Sequence, residues 1–290
     1  MRRFTTIEEQ QEIIKLYQEG KTLSFIGKLK HAKPATIKKV LINNNIPIKN
    51  KGTKTNRCLK ENYFESIDSE EKAYFLGLLF ADGSVVLDKS EKRSPMISLS
   101  LKLSDYDIIE QFKVAIGHDR SFSYDKRKSR EMVGISFRNK KVAQDLKKYG
   151  IVPNKTYETN HLPSNIPQIF EKDFLRGLID GDGSFYYSGK KWHCSLTSYH
   201  YSICKEFQDR INSFLTDKCT TKVAKYGTAY HCVINKKEQL RQLVTALYKD
   251  SKVFLARKYR LAMAILEDKT GEDIVYSVQS PEKNTSKEAV

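Results

Sequence analysis

Two copies of one short pattern constrain this chain more than any other feature of its sequence. "FLRGLIDGDGSF" runs from Phe174 to Phe185, and "FLGLLFADGSV" runs from Phe75 to Val85. Each copy is an apolar, helix-like stretch that ends in an acid followed by glycine. A single "DGS" after a helix usually marks only a turn, with glycine as its left-handed stop. Two copies, each followed by the same hairpin pattern, favour a duplicated functional element instead.

Small residues recur four positions apart in each copy. They are Gly77 and Ala81 in the first copy, and Gly177 and Gly181 in the second. Residues at this spacing lie on one face of a helix, where small side chains let two helix backbones approach closely. If the two helices pack through these faces, Asp82 and Asp182 meet at the C-terminal ends.

Two carboxylates in that position repel each other and the partial negative charge of the helix ends. A hard divalent cation such as Mg²⁺, with ligands from the acids, water and a phosphate, would compensate this charge. The chain has 51 Lys and Arg against 35 Asp and Glu, and its formal net charge of +16 attracts polyanions. Acids, metal and basic surface together favour phosphodiester hydrolysis on nucleic acid.

Two other kinds of metal site are disfavoured. "DGDGSF" resembles the middle of a calcium-binding EF-hand loop, but the first and twelfth ligand positions then fall on Leu178 and Gly189, which supply no ligand. The five cysteines are scattered without CxxC spacing, which disfavours zinc and indicates free thiols in a reducing compartment. The pairs His193-Cys194 and His231-Cys232 are strand neighbours, whose side chains point to opposite faces.

The N-terminal sequence "MRRFTTIEEQ" has no apolar signal region, and no apolar run approaches the length of a membrane span. We therefore expect a soluble protein that is not secreted and has no membrane partner. The expected location is the cytoplasm of a bacterial or phage-infected cell, or an organelle that encodes its own genes.

Residues 1–48 have the pattern of three short helices. Thr6 is suited to cap the first, with Glu9 three residues on and Gly20 as a stop, and the second begins near Ser24. Pro34 suits the first position of the third helix. This arrangement predicts a helix-turn-helix that binds DNA, although a small structural bundle has the same pattern. The side chains predicted to face a DNA groove are Thr36, Lys38 and Lys39.

Residues 49–68 form a basic linker, and the organisation then becomes mixed α/β and repeats. Residues 69–160 and 161–267 each have the order αββαββα, which predicts an α+β fold of two repeats related by a pseudo-two-fold axis, followed by a polar tail at 268–290. The strand "PMISLSLKLS" alternates cleanly. Its core-facing residues are Ile97, Leu99, Leu101 and Leu103; its polar face carries Ser98, Ser100 and Lys102.

The motifs "FLGLLFADG" and "LRGLIDGDG" resemble the two signature motifs of the monomeric LAGLIDADG homing endonucleases, and the duplicated unit resembles their fold over roughly residues 69–267. The resemblance implies a site-specific double-strand endonuclease in which Asp82 and Asp182 bind catalytic Mg²⁺, beside the backbone of Ala81 and Gly181. It also implies that the sheets form a saddle over the major groove and read bases with their polar faces. The implied DNA-contacting residues are Ser98, Ser100, Lys102 and Arg138 in one half, and His193, Ser195 and Thr197 in the other.

The family often places a lysine near the scissile phosphates. Lys258 in "FLARKYR" matches that position in the second repeat, and Lys155 in "VPNKT" is its counterpart in the first. Each would polarise water or stabilise transition-state charge; the alternative is a surface lysine that touches backbone phosphates. Phe80 replaces the first acid of the motif, whereas Asp180 keeps it and should point away from the metal site.

Three functions stay open at this point. The first is a monomeric endonuclease acting on double-stranded DNA with a long, pseudo-palindromic or asymmetric site. The second is a transcription regulator on a LAGLIDADG scaffold, which is disfavoured because both acids are retained. The third is an RNA maturase that assists splicing of intron RNA, which the same fold and charge would allow.

Overall fold

The computed structural model of the chain describes residues 6–19, 21, 23–48, 58–88, 90, 92–127 and 130–271. Tertiary contacts divide the chain into two compact units, residues 1–57 and 58–290. The predicted stop at Gly20, residues 49–57 of the predicted linker and the predicted tail beyond residue 271 lie outside the described residues. None of the helices in the described ranges is both long enough and apolar enough to cross a membrane.

The described residues of the first unit contain three helices: α1 (Ile7–Gln18), α2 (Leu23–Leu29) and α3 (Pro34–Asn43). The hydroxyl of Thr6 accepts a hydrogen bond from the backbone N–H of Glu9, and Pro34 occupies the first turn of α3, so both predicted helix starts are confirmed. The three helices enclose a core of their own. Its buried apolar residues are Ile13, Tyr17, Ile26, Ile37, Val40 and Leu41.

The second unit alternates helices and strands. Its helices are α4 (Glu70–Asp82), α5 (Tyr106–Ala115), α6 (Lys140–Lys148), α7 (Lys155–Glu158), α8 (Glu171–Asp182), α9 (Tyr201–Ile211), α10 (Lys237–Tyr248) and α11 (Ala256–Leu266). Its strands are β1 (Gly83–Val86), β2 (Met96–Lys102), β3 (Ser123–Arg127), β4 (Arg130–Arg138), β5 (Gly183–Ser188), β6 (Lys191–Ser198), β7 (Ala224–Tyr226) and β8 (Ala229–Ile234).

The strands form two four-stranded antiparallel sheets with the same internal order. The first sheet has the order β1-β2-β4-β3, and the second has β5-β6-β8-β7. Each sheet begins directly after a long helix, α4 or α8, and each is completed by helices that cover one of its faces. The predicted α+β class and the duplicated element order are therefore confirmed for the second unit.

Strand β2 shows how far the sequence pattern holds. Ile97, Leu99 and Leu101 are buried and Lys102 is exposed, as the alternation predicts. The prediction that Leu103 faces the core is wrong, because its side chain is 36% exposed. The chain leaves the sheet after Lys102 and enters a 3-10 turn, Leu103–Asp105, which breaks the two-residue period. This turn buries Asp105 instead.

Helices α4 and α8 pack backbone against backbone. A Cβ atom added to Gly77 would lie 2.2 Å from the carbonyl oxygen of Phe174, and one added to Gly177 would lie 2.1 Å from that of Tyr74. One turn further on, a Cβ at Gly181 would lie 2.2 Å from the Cβ of Ala81. No side chain larger than hydrogen fits at the crossing point, so the small residues set the distance between the two helices.

A buried polar network ties the segment between α10 and α11 to this helix pair. The guanidinium of Arg176 donates to Asp173, to Glu70 and to the carbonyl oxygens of Leu247 and Val253. The side chain of Arg176 is essentially inaccessible to solvent, and each of its three nitrogens donates at least one hydrogen bond. The network therefore ties the segment before α11 to α8.

We predict that Gly177→Ala destabilises the second unit. In an isolated helix this change would be favourable by about 1 kcal/mol. Here the new methyl group clashes with the carbonyl oxygen of Tyr74 and separates the helices, so we expect a net loss of about 2 kcal/mol, measured by urea unfolding.

The control is Gly189→Asn in the β5–β6 turn. Gly189 has φ 56° with no atom near its Cβ position, and asparagine tolerates this conformation. We expect this variant to stay within about 0.5 kcal/mol of the parent. Equal stabilities of Gly177→Ala and the parent would contradict the close packing of α4 and α8.

Candidate active site

Helices α4 and α8 each end at an aspartate and pass directly into a strand. Gly83 and Gly183 follow Asp82 and Asp182 with extended backbones, φ −72° and −92°, so the left-handed stop that "DGS" usually marks is absent at both. Glycine is needed here for space: a Cβ at Gly83 would lie 2.5 Å from the carbonyl oxygen of Leu79, and Gly183 makes the same contact in the second copy. The tight junction holds each aspartate at the end of its helix.

The two aspartates influence each other. A Cβ on Gly181 would lie 3.2 Å from Oδ2 of Asp82, so the carboxylate that ends α4 lies against α8. Both residues remain exposed, although protein atoms crowd their carboxyl groups. This partial burial, together with the negative charge of Asp82, raises the pKa of Asp182 to about 6. Burial also raises the pKa of Asp82, against the opposing charges of Lys258, Lys155 and Arg257.

Asp180, the other acid of the second motif, points away from this pair as predicted. It is fully buried, where it accepts hydrogen bonds from the hydroxyls of Tyr74 and Tyr248 and from the backbone N–H of Leu255. Burial raises its pKa. Its contacts make it an anchor for the segment that leads into α11, and both of its carboxylate oxygens accept hydrogen bonds inside the core.

Two lysines supply cations at the helix ends. Nζ of Lys155 donates to the carbonyl oxygen of Ala81, in the last turn of α4. Nζ of Lys258 donates to carbonyl oxygens at the end of α8, at 2.7 Å from Ile179, 2.6 Å from Asp180 and Gly183, and 3.3 Å from Gly181. Both ammonium groups therefore satisfy carbonyls that a helix end leaves without partners and offset its negative charge.

The two lysines differ in burial. Lys258 is only 3% exposed, so the alternative that it is a surface lysine is wrong. Burial lowers its pKa to about 8, whereas the carboxylates of Asp180 and Asp82 oppose this shift. Lys155 is half-buried, and its pKa is also lowered by burial against the charges of Asp182 and Asp82.

Each aspartate lies in its own cleft. The Asp182 cleft has a volume of about 610 Å³, and its walls include Ala81, Lys155 and Tyr157. The Asp82 cleft has a volume of about 580 Å³. Its walls include Gly181, Lys102, Asp105, Glu131 and Arg257. Each cleft therefore combines the acid that ends one helix with the penultimate residue of the other helix.

These clefts contain donors that suit a hard divalent cation. Carboxylate and carbonyl oxygens are the ligands that Mg²⁺ and Ca²⁺ prefer. The carbonyl oxygens of Ala81 and Gly181 each already accept a hydrogen bond from a lysine, but a carbonyl oxygen has a second lone pair. In the part of the chain that the structure describes, no group of three or more His, Cys, Asp or Glu residues could hold a metal ion. The donor set fits an open site completed by water and phosphate rather than a closed protein cage.

The residues predicted to read bases lie on one face of each sheet. In the first sheet, Ser100, Lys102 and Arg138 are exposed and Ser98 is half-buried. Arg138 donates to the carbonyl oxygen of Ser94 at 2.8 Å, and the hydroxyls of Ser98 and Ser84 share a hydrogen bond.

The corresponding face of the second sheet is aromatic as well as polar. The ring of His193 stacks on Tyr186 with centroids 4.8 Å apart, and Thr197 shares a hydrogen bond with His231. Ser195 is only 7% exposed, and its hydroxyl is hydrogen-bonded to that of Ser184. The sequence reasoning did not select Tyr186 and His231, which the pairing register of β5 and β8 with β6 places on this face.

In the first unit, Lys38 and Lys39 are exposed on α3 and Thr36 is half-buried. The next residue of α3, Val40, is buried in the core of this unit. The two lysines therefore lie on the solvent side of the helix, where a polyanion can reach them.

Residues 170–247 match the family model described as "LAGLIDADG-like domain". Among solved structures, the chain is similar to the meganuclease I-SmaMI bound to uncleavable DNA, with 13% identity over 72% of this chain and 97% of that chain and a TM-score of 0.47. It is also similar to the homing endonuclease I-GzeII in complex with its DNA target, with 14% identity over 70% of this chain and 92% of that chain and a TM-score of 0.48. A third similar structure is the homing endonuclease I-LtrWI bound to target DNA, with 14% identity over 76% of this chain and 96% of that chain and a TM-score of 0.47. No curated protein matches the chain in sequence.

We predict that Asp182→Asn stabilises the protein at neutral pH. The folded-state pKa of Asp182, about 6, exceeds the unfolded value near 4, so its ionised form disfavours folding above pH 6. Because the residue is exposed, solvent screens the effect, and we expect a gain of about 1 kcal/mol, or a Tm rise of about 2–4 °C at pH 7.5.

The same linkage fixes the pH dependence. The advantage of Asp182→Asn should shrink at pH 5 and vanish only below about pH 3, where the wild-type carboxyl is protonated in both the folded and the unfolded state. Asp217→Asn, at an exposed aspartate outside both clefts, is the control and should leave Tm unchanged. A lower Tm for Asp182→Asn at pH 7.5 would contradict the repulsion between the two aspartates.

Proposed function

We propose that this protein is a LAGLIDADG-type homing endonuclease that makes a site-specific double-strand break in DNA by metal-dependent phosphodiester hydrolysis. One observation carries the proposal. Asp82 and Asp182 lie at the adjoining ends of two helices that pack backbone against backbone, each beside the penultimate residue of the other helix. Such a pair supports hydrolysis at two phosphates, one in each cleft.

The match to the family model covers residues 170–247, which contain α8 and the second sheet. The first half, from α4 through the first sheet, has the same element order and the same strand order. This internal duplication supports extending the assignment to residues 70–148, which the family model does not cover.

The roles of the side chains follow from their positions. Asp82 and Asp182 would hold the divalent cations, which we take to be Mg²⁺. When bound, such an ion supplies Lewis-acid stabilisation of phosphate oxygens and lowers the pKa of its water. Lys155 holds an ammonium group in the Asp182 cleft, where it would stabilise negative charge that develops on the phosphate.

DNA recognition is proposed for the polar faces of the two sheets. The faces differ in chemistry, with serines such as Ser98 and Ser100 in one half and His193 and Tyr186 in the other, which favours an asymmetric target. Because one chain supplies both acids, a monomer is sufficient for cleavage. The first unit would act as a helix-turn-helix that adds a second DNA contact through Lys38 and Lys39.

The test is cleavage of a randomised DNA library in Mg²⁺, with sequencing of all ends produced. We expect the wild type to yield discrete double-strand ends at one site. Asp82→Asn and Asp182→Asn should each lower cleavage of at least one strand by roughly 100-fold or more, because each removes a carboxylate that holds the cation. DNA binding without metal should persist in both variants.

The same experiment separates the competing functions. Specific DNA binding with no ends from the wild type would contradict the proposal and favour a transcription regulator. Tighter binding to a structured intron RNA than to any DNA duplex would favour a maturase. Asp217→Asn serves as the matched control and should cut like the wild type.

A further inference from the structure

The two clefts differ in the basic side chains that could bind a phosphate. An ammonium group has three N–H donors, and the four carbonyl oxygens of α8 and Gly183 occupy those of Lys258. Together with its burial, this leaves no N–H to donate to DNA unless the cap of α8 is broken. Among the described residues, Lys155 donates to a single carbonyl oxygen, and because it lines the Asp182 cleft its other donors are available to a ligand there.

Arg257, the residue before Lys258, has N–H donors that remain available to a ligand. Nε of Arg257 donates to both carboxylate oxygens of Asp105, at 3.0 and 3.1 Å. The side chain of Arg257 is 45% exposed, whereas that of Asp105 is 3% exposed. Among the described residues, no acceptor binds the terminal Nη groups of Arg257. A guanidinium is planar, so an anchored Nε fixes the direction of the free Nη donors.

Arg257 also lies within the Asp82 cleft. It lines the Asp82 cleft together with Asp82 and Gly181, and its charge acts on the carboxyl group of Asp82. Lys102 lines the same cleft, but it lies exposed at the end of β2 with no partner that fixes its ammonium group among the described residues. The anchored cation of this cleft is therefore Arg257.

The first repeat has no equivalent arginine. Asn154 precedes Lys155, as Arg257 precedes Lys258, and it does not line the Asp182 cleft. Within the part of the chain that the structure describes, Lys155 is the only lysine or arginine that lines that cleft. The two halves thus present different cations, a lysine in one cleft and an arginine in the other.

We infer that Arg257, positioned by Asp105, is the phosphate-binding cation of the Asp82 cleft and that Lys258 is a structural cap of α8. The Nη groups of Arg257 donate hydrogen bonds to the non-bridging oxygens of the scissile phosphate, and no proton is transferred. This inference rests on the proposed endonuclease function, and it assigns the two DNA strands to different cations.

The first test follows each strand of the target duplex with its own end label. Arg257→Ala should slow one strand roughly 100-fold, and this should be the strand that Asp82→Asn impairs, so that a nicked duplex accumulates. Lys155→Ala should slow the other strand. Arg257→Lys should restore only part of the rate, because a lysine cannot use the Nε anchor.

Arg260→Ala is the matched control. Arg260 is exposed on α11, one turn beyond Arg257, and lines neither cleft. Its replacement removes the same positive charge, and we expect it to leave the relative cleavage rates of the two strands unchanged. Asp105→Asn tests positioning: it should slow only the strand that Arg257→Ala slows, and it should add nothing further in the Arg257→Ala background.

A second readout does not depend on cleavage. In EDTA, the salt dependence of target-DNA binding reports the number of phosphate contacts, and Arg257→Ala should reduce its slope by about 1. Lys258→Met should lower Tm without changing the slope. A fully folded Lys258→Met variant with a reduced slope would show that Lys258 contacts phosphate and would overturn the assignment.

The outcomes separate the inference from the function on which it rests. If Arg257→Ala cuts both strands at wild-type rates, the inference is wrong and the endonuclease stands. If the wild type cuts no DNA, the proposed function fails and the inference fails with it.

Discussion

The close packing of α4 on α8 is the contact on which the rest of the structure depends. At Gly77 and Gly177, each helix backbone meets a carbonyl oxygen of the other, and this leaves no room for even a methyl group. The aspartates lie about one turn beyond that crossing, so the helix separation sets the distance between their carboxylates. Tyr74 of α4 donates to Asp180 of α8, which adds a buried polar link between the repeats.

The charges in the candidate site repel each other, and the fold holds them close together. Two carboxylates share the negative ends of two helices, and burial with repulsion raises the pKa of Asp182 to about 6. Lys155 and Lys258 offset part of this charge by donating to helix carbonyls, and their own pKa values are lowered by burial. A site arranged in this way costs stability in the free protein and favours the binding of cations, which is common where function and stability compete.

The two repeats keep one architecture but differ in how they fix the segment that carries each lysine. In the second repeat, Asp180 accepts hydrogen bonds from Tyr248 and from the backbone of Leu255, so the start of α11 is anchored. In the first repeat the matching position is Phe80, which packs its ring against Phe174 and anchors no backbone group by hydrogen bonding. One lysine is consequently locked as a cap and the other is half-buried in its cleft, which gives the two clefts different chemistry.

The sequence by itself determined the duplicated α+β organisation, the helix starts at Thr6 and Pro34, and the two acids at paired helix ends, because these depend on periodicity and on near neighbours in the chain. It misassigned Leu103, since the departure of the chain from the sheet breaks the period. Only the tertiary structure decided that Lys258 caps a helix and that Arg257 is anchored by Asp105, which lies 152 positions away. Such contacts are set by how distant carbonyls and carboxylates come together when the core packs, and no local pattern encodes that arrangement.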